Sequence, residues 1–218
     1  MSKRFELLVF DWDGTLMDST AVIVASLQAA CRDLGLPVPT DESAQHIIGL
    51  GLHDALAHVL PGINSAEYPR VAEQYGHHFR LRESESPLFA GAVEALRELV
   101  AAGHRLAIAT GKSRRGLDRA LASTGLATLF HATRCGEESA TKPHPDMLID
   151  LMRMLDADPG ATLMIGDTTH DLQMAINAGV TVVAAAYGAH PRGQLAALRP
   201  LACFDQPQEL WHWLKHSA

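Results

Sequence analysis

Residues 9–19 read "VFDWDGTLMDS", an apolar run that ends on acids. Asp11 and Asp13 stand with one residue between them, and Asp18 follows. Carboxylates this close repel, and burial raises the cost further. The run before them, "FELLVF" (5–10), lacks the polar alternation of a half-exposed strand and reads as a strand covered on both faces. A buried strand that ends on like charges needs something to offset them.

Four more runs share the character of the first: "HRLAIAT" (104–110), "LFHAT" (129–133), "TLMIGD" (162–167) and "TVVAAA" (181–186). A sixth, "LACF" (201–204), reads as an edge strand. Helical stripes separate them: Val93, Leu96, Leu99 and Val100; Leu117, Ala120 and Leu121; Leu148, Leu151, Met152 and Leu155; Leu172, Ala175 and Ile176. Gly103, Gly125 and Gly179 stand where those helices should stop. Strand–helix alternation predicts an α/β fold with a doubly wound, mainly parallel, Rossmann-like sheet.

One segment breaks the rhythm. From Asp18 to Ser86 there is helical periodicity and no convincing strand. Ile23, Leu27, Ala30, Cys31 and Leu34 form one stripe, and 44–60 and 68–84 read as further helices. The expected organisation is an α/β domain of residues 1–17 and 87–218, with an all-helical insert over 18–86. In the closing "PQELWHWLKHSA", Trp211 and Leu214 are expected to pack on the core.

Bulk composition narrows the function. The 218 residues are 47% apolar and 20% charged, ordinary for a globular domain with a real core. A net charge of −7 argues against nucleic acid as partner. Cys31, Cys135 and Cys203 are too sparse for a disulfide framework or a zinc site. The start, "MSKRFELLVF", has too short an apolar region for a signal peptide, and no run approaches the ~18 to 20 residues of a membrane span. The expectation is a cytoplasmic protein without a membrane partner.

Ligands of open parallel sheets sit at the carboxyl ends of the strands. The first strand ends in Asp11 and Asp13, the second in "TGK" (110–112) and the fourth in "GDTTHD" (166–171); "TKPHP", with Lys142, precedes the helix leading to the fourth. Acids at neighbouring strand ends suit a hard divalent cation such as Mg²⁺, which also keeps them ionised. Thr110 and the backbone N–H groups of a glycine turn can hold phosphate oxygens, and Lys142 can neutralise their charge. The bland alternatives are a solvated turn at Asp11 and Asp13, an Asx turn and helix N-cap at Asp167 and Asp171, a β-former at Thr110 and a surface lysine at 142.

"DWDGTLMDS", Thr110, Lys142 and "GDTTHD" resemble, in order, the four motifs of the haloacid dehalogenase-like hydrolases. The helical insert is similar to the cap of the subgroup containing phosphoglycolate phosphatase and β-phosphoglucomutase. The resemblance implies Asp11 as the nucleophile that forms an aspartyl-phosphate and Asp13 as general acid and base. It implies Mg²⁺ held by the Asp11 carboxylate, the Asp13 backbone carbonyl and Asp167, with Asp171 one helical turn on. Thr110 and Lys142 match the phosphate-binding hydroxyl and lysine, with Gly14 and Gly111 beside them. Lys112 and Arg114 lie next to the Thr110 loop, where phosphate contact and a solvated helix start are equal readings. Asp18 is expected as an N-cap or hinge of the first cap helix, and His170 as a surface residue. The pairs His53/His58 and His77/His78 read as solvated faces.

The implied enzyme is a phosphatase acting on a small phosphorylated metabolite, as a monomer or homodimer. Dehalogenases lack the second acid, which is present here as Asp13. The position of the β-phosphoglucomutase cap histidine is Ile23, and residues 18–86 contain no lysine for Schiff-base chemistry. The loop "GLGLHDA" (49–55) resembles a cap loop that reaches toward substrate, which makes Gly51, Leu52 and His53 specificity candidates. Arg80 and Arg82 are weaker ones, for a substrate carboxylate. Phosphoglycolate is the family-level expectation for substrate. A β-phosphoglucomutase-like phosphotransfer enzyme and a silent Mg²⁺- or phosphate-binding module are the alternatives.

Overall fold

The computed structural model describes residues 4–218. Six parallel strands form one sheet in the order β3-β2-β1-β4-β5-β6: β1 (Leu7–Phe10), β2 (Arg105–Thr110), β3 (Ala132–Cys135), β4 (Thr162–Gly166), β5 (Thr181–Ala185) and β6 (Cys203–Phe204). The period of two along β1 serves two cores at once. Leu8 and Phe10 face one side with Leu96, Leu117 and Trp211, and Leu7 and Val9 face the other with Leu148, Met164 and Leu172. A strand flanked this way must be apolar at every position, which is why the first run stood out.

The helices are α1 (Thr20–Asp33), α2 (Asp41–His46), α3 (Leu52–Val59), α4 (Tyr68–Arg82), α5 (Ala92–Ala101), α6 (Arg114–Thr124), α7 (Asp146–Met154), α8 (Thr169–Asn177), α9 (Arg192–Ala197) and α10 (Pro207–Ser217). Gly103, Gly125 and Gly179 all have positive φ after α5, α6 and α8, as expected of helix stops. Trp211 and Leu214 are buried. None of the helices among the described residues is long and apolar enough to cross a membrane.

Four expectations need correction. The third strand is Ala132–Cys135, not 129–133, because Ala127–Leu129 is a 3₁₀ turn. As the edge strand, β3 exposes Thr133 and Arg134 partly, and Arg134 pairs with Asp150, so the apolar criterion misplaces it. The helix read over 44–60 is two, α2 and α3, broken at Ile47–Leu50. Ile176 is exposed, and Met174 takes its place in the core. Asp18 is also exposed. The N-cap of α1 is Ser19, whose hydroxyl donates to Asp13 Oδ1 (2.7 Å) and does not cap the helix.

Helices α1 to α4 carry a core of their own, built on Ile23, Leu27, Ile48, Leu56, Val71 and Phe79. This insert rests on the carboxyl end of the sheet. The His46 carbonyl accepts from His170 Nε2 (2.8 Å) and His190 Nε2 (3.1 Å). The Thr169 N–H donates to His190 Nδ1 (3.0 Å), so the proton of neutral His190 lies on Nε2, toward His46. The Thr141 hydroxyl donates to Asp54. Gly111 meets the loop between α2 and α3, and a Cβ there would run into the Gly49 and Leu50 carbonyl oxygens.

Candidate active site

Strand order reverses between β1 and β4, where a doubly wound sheet opens a crevice. Asp11 follows β1, and its N–H donates to the Ile165 carbonyl of β4 (2.9 Å). Asp167 follows β4, and Asp171 lies in the first turn of α8. The three carboxylates offer oxygens that all lie within 4.8 Å of one another, and all three are buried. Lys142 reaches into them, with Nζ 2.7 Å from Asp11 Oδ1 and 2.6 Å from Asp171 Oδ1.

The surroundings fix these groups. Asp167 Oδ1 accepts from the Thr15 hydroxyl (2.8 Å) and Oδ2 from the Ala189 N–H (2.7 Å). Asp171 Oδ2 accepts from the Thr168 N–H and hydroxyl in a capping box that opens α8. So the N-cap reading of "TTHD" is correct as far as it goes, yet Asp171 Oδ1 still faces Lys142. Gly14, with φ +79°, passes so close to Asp167 that a side chain there would strike its carboxylate.

Charge does not balance inside this cluster. Three carboxylates face one ammonium, a net −2 if all are ionised. Burial pushes the Asp11 carboxyl up to about 7, against the pull of Lys142. Burial likewise drives Asp167 well above the carboxylate range, with Asp11 and Asp171 adding to it. Burial works against the Lys142 ammonium, but Asp11 and Asp171 outweigh it and raise its pKa. Apart from the Lys142 ion pairs, neither Asp11 oxygen nor Asp171 Oδ1 has a hydrogen-bond donor, and Asp11 Oδ2 is buried with none. Orphaned oxygens and a net −2 fit a hard divalent cation, and the all-carboxylate donor set suits Mg²⁺.

Asp13 is held differently. Its carboxylate is bound by Lys112 Nζ through both oxygens (2.8 and 2.9 Å) and by Ser19. The sequence offers phosphate contact and a solvated helix start equally for Lys112, and its pairing with Asp13, 99 residues away, has no local signal. Lys112 also lies over the Phe79 ring of the insert, 4.8 Å from its centroid. Arg114 is taken up by Glu138 (2.7 Å).

Above Asp11, Asp13 and Thr110 opens a cavity of about 540 Å³ between the sheet and the insert. Gly111, Gly49, Leu50 and Leu52 line it; Gly51 and His53 do not. Gly51 is buried against Thr141 and Gly136. His53 is exposed, with its ring against Tyr68, because one step along α3 turns it away from the side Leu52 occupies. Arg82 does not line the cavity, and Arg80 does so from an exposed position.

The sequence profile of the family described as haloacid dehalogenase-like hydrolase matches residues 8–185, and the chain belongs to that family. It is 35% identical over 209 residues to "Probable phosphatase IndB" of Dickeya dadantii, covering 94% of this chain and 91% of that one. It is 33% identical over 184 residues to the tyrosine-protein kinase PtkA of Mycobacterium tuberculosis, covering 84% of this chain and 62% of that one. Among solved structures, a predicted phosphoglycolate phosphatase from Haemophilus somnus superposes with a TM-score of 0.82 at 26% identity, covering 97% and 99% of the two chains.

Proposed function

We propose that this hydrolase cleaves small phosphomonoesters in a Mg²⁺-dependent reaction through an aspartyl-phosphate on Asp11. The observation that carries the reading is the buried, charge-unbalanced cluster of Asp11, Asp167, Asp171 and Lys142 beneath an open cavity. Asp11 is the carboxylate of that cluster that also lines the cavity; Lys142 holds its Oδ1, and its Oδ2 has no donor. It is therefore the group placed to attack phosphorus. Lys142 holds its charge and orientation from beneath. Thr110, at the end of β2, lines the same floor, and its hydroxyl oxygen accepts from the Lys112 N–H (3.2 Å). Asp13 faces the cavity beside Asp11 and serves as the proton carrier, first to the leaving oxygen and then from water. Mg²⁺ bound by Asp11, Asp167 and Asp171 would cancel the net −2 that Lys142 leaves and draw charge from the phosphoryl oxygens. The insert acts as the cap, closing the site to bulk water through its contacts at His46, Asp54 and the Gly49–Gly51 loop.

A transferase shares the first half of this reaction and differs in the acceptor. Hydrolysis is favoured because Ile23, at the position of the expected mutase histidine, lines the cavity and cannot carry a proton. The test is hydrolysis of para-nitrophenyl phosphate with and without Mg²⁺. Asp11→Asn is expected to lose more than about 10⁴-fold in kcat, the scale seen when a covalent nucleophile is removed. Wild-type turnover no higher than that variant's would refute the reading.

A further inference from the structure

We propose that the cavity selects a phosphomonoester whose leaving group is a bulky, largely apolar alcohol; this rests on the phosphatase reading above and names its substrate class. The floor carries Asp11, Asp13 and Thr110, so whatever fills the space above is attached to the phosphoryl group. The walls are Ile23, Leu27, Ile47, Ile48, Leu56 and Phe79, with Leu52 at an exposed position among them. At about 540 Å³ the space lies within the range of sites that enclose a drug-sized ligand.

The charges around this space do not suit a short acid. Lys112 is already paired with Asp13 through both oxygens. Arg80 and Arg115 are exposed, and Arg119, its side chain partly exposed, has a buried Nε with no hydrogen bond, 3.9 Å from Glu83. From the insert, the charged residues that reach the cavity are Glu73 and Arg80, both exposed. The carboxylate of a two-carbon phosphorylated acid, held at the floor, would meet mainly aliphatic and aromatic walls, because the cations lining the space are either paired, as Lys112 is, or carried on exposed or partly exposed side chains, as at Arg80, Arg115 and Arg119. Burying a charge without a partner is costly, whereas each methylene laid on these walls is favourable. Tyr75 also lines the cavity, and its hydroxyl makes no hydrogen bond among the described residues, which leaves a polar group to meet one substrate oxygen.

The test is a homologous series of ethyl, butyl and hexyl phosphate, with phosphoglycolate alongside. The alkyl esters share leaving-group chemistry, so their differences report binding of the chain. The expected result is kcat/KM rising about two- to fourfold per methylene, the upper end corresponding to ~0.8 kcal/mol per buried CH₂. Phosphoglycolate should fall below butyl phosphate. Leu52→Asp puts a charge on the wall at the first residue of α3, where an acid suits the helix N-terminus and folding is spared. It should flatten the slope of the series. A series that is flat or falls with length, with phosphoglycolate turned over best, overturns the apolar-substrate proposal and leaves the phosphatase intact. Failure to turn over any ester, para-nitrophenyl phosphate included, above the Asp11→Asn background overturns both.

Discussion

Two surfaces face each other across one cavity. The sheet side gathers Asp11, Asp167, Asp171 and Lys142, all at 1% exposure or less, with more negative charge than positive. The insert side presents Ile23, Leu27, Ile48, Leu56 and Phe79. The first surface is unstable as it stands and calls for a cation and an anion of set geometry. The second is stable and asks only for apolar surface of matching size. On the proposed reading, chemistry is fixed at the strand ends, and choice of substrate is left to the helices. A single fold can keep the first while the second changes.

Breaking the sheet side should cost most. Asp13→Asn keeps the size of the proposed proton carrier and removes its proton chemistry, and turnover should fall by roughly 10² to 10⁴-fold. Binding of Mg²⁺ and inorganic phosphate, followed by calorimetry, should survive. Near-normal turnover would remove Asp13 from its role.

Next in size is the response to metal. Asp11 is raised to about 7 in the folded chain, against 3.8 as its ordinary value, so between about pH 4 and 7 the folded state holds a proton that the unfolded state has lost. Stability of the metal-free protein should fall as pH rises through that window. Asp167, raised in the same direction, adds to the loss. Mg²⁺ at about 100 times its Kd should restore ~2.7 kcal/mol above pH 7, some 5 to 10 °C in Tm, and much less near pH 5, where protons compete. Melts with Mg²⁺ and with chelator at both pH values check this. Equal shifts at the two would deny that the cation sits on these carboxylates.

Smaller still is the loss of Lys112, which links the two surfaces through Asp13 and the Phe79 ring. Lys112→Ala should lower kcat about tenfold, the scale of one charge-assisted hydrogen bond, with KM changed far less. Lys112→Arg should recover part of the loss in kcat. An unchanged kcat would make the pair merely structural. The smallest effect belongs to His53→Ala. His53 lies outside the cavity, so kcat/KM should stay within twofold and stability within ~0.5 kcal/mol.

How much of this was legible depended on how local its cause was. Strands β1, β2, β4 and β5 lie between two helical layers, and burial on both faces wrote continuous apolar runs. β3, at the edge, wrote Ala-Thr-Arg-Cys and was displaced. Asp11, Asp13, Thr110 and Asp167 stand out as candidates because they lie at strand ends, a position with a topological reason to carry function, and the structure brings Lys142, from the loop before α7, and Asp171, from the first turn of α8, against Asp11. The Lys112–Asp13 pair and the seating of His170 and His190 on His46 join residues 99, 124 and 144 apart, and no spacing in the chain announces such contacts. His53 was misjudged because a loop motif tells which segment approaches the substrate, whereas helical phase decides which side chain does.

The central claim is a covalent bond between Asp11 and phosphorus, and trapping it tests the account most directly. In Asp13→Asn the second half-reaction lacks its base, while para-nitrophenolate leaves without needing a proton. Acid-quenched Asp13→Asn, mixed with para-nitrophenyl phosphate and Mg²⁺, should therefore carry one phosphoryl group on the peptide containing Asp11, as read by mass spectrometry. The same peptide left unmodified, under conditions where the wild-type protein turns over, would contradict the account.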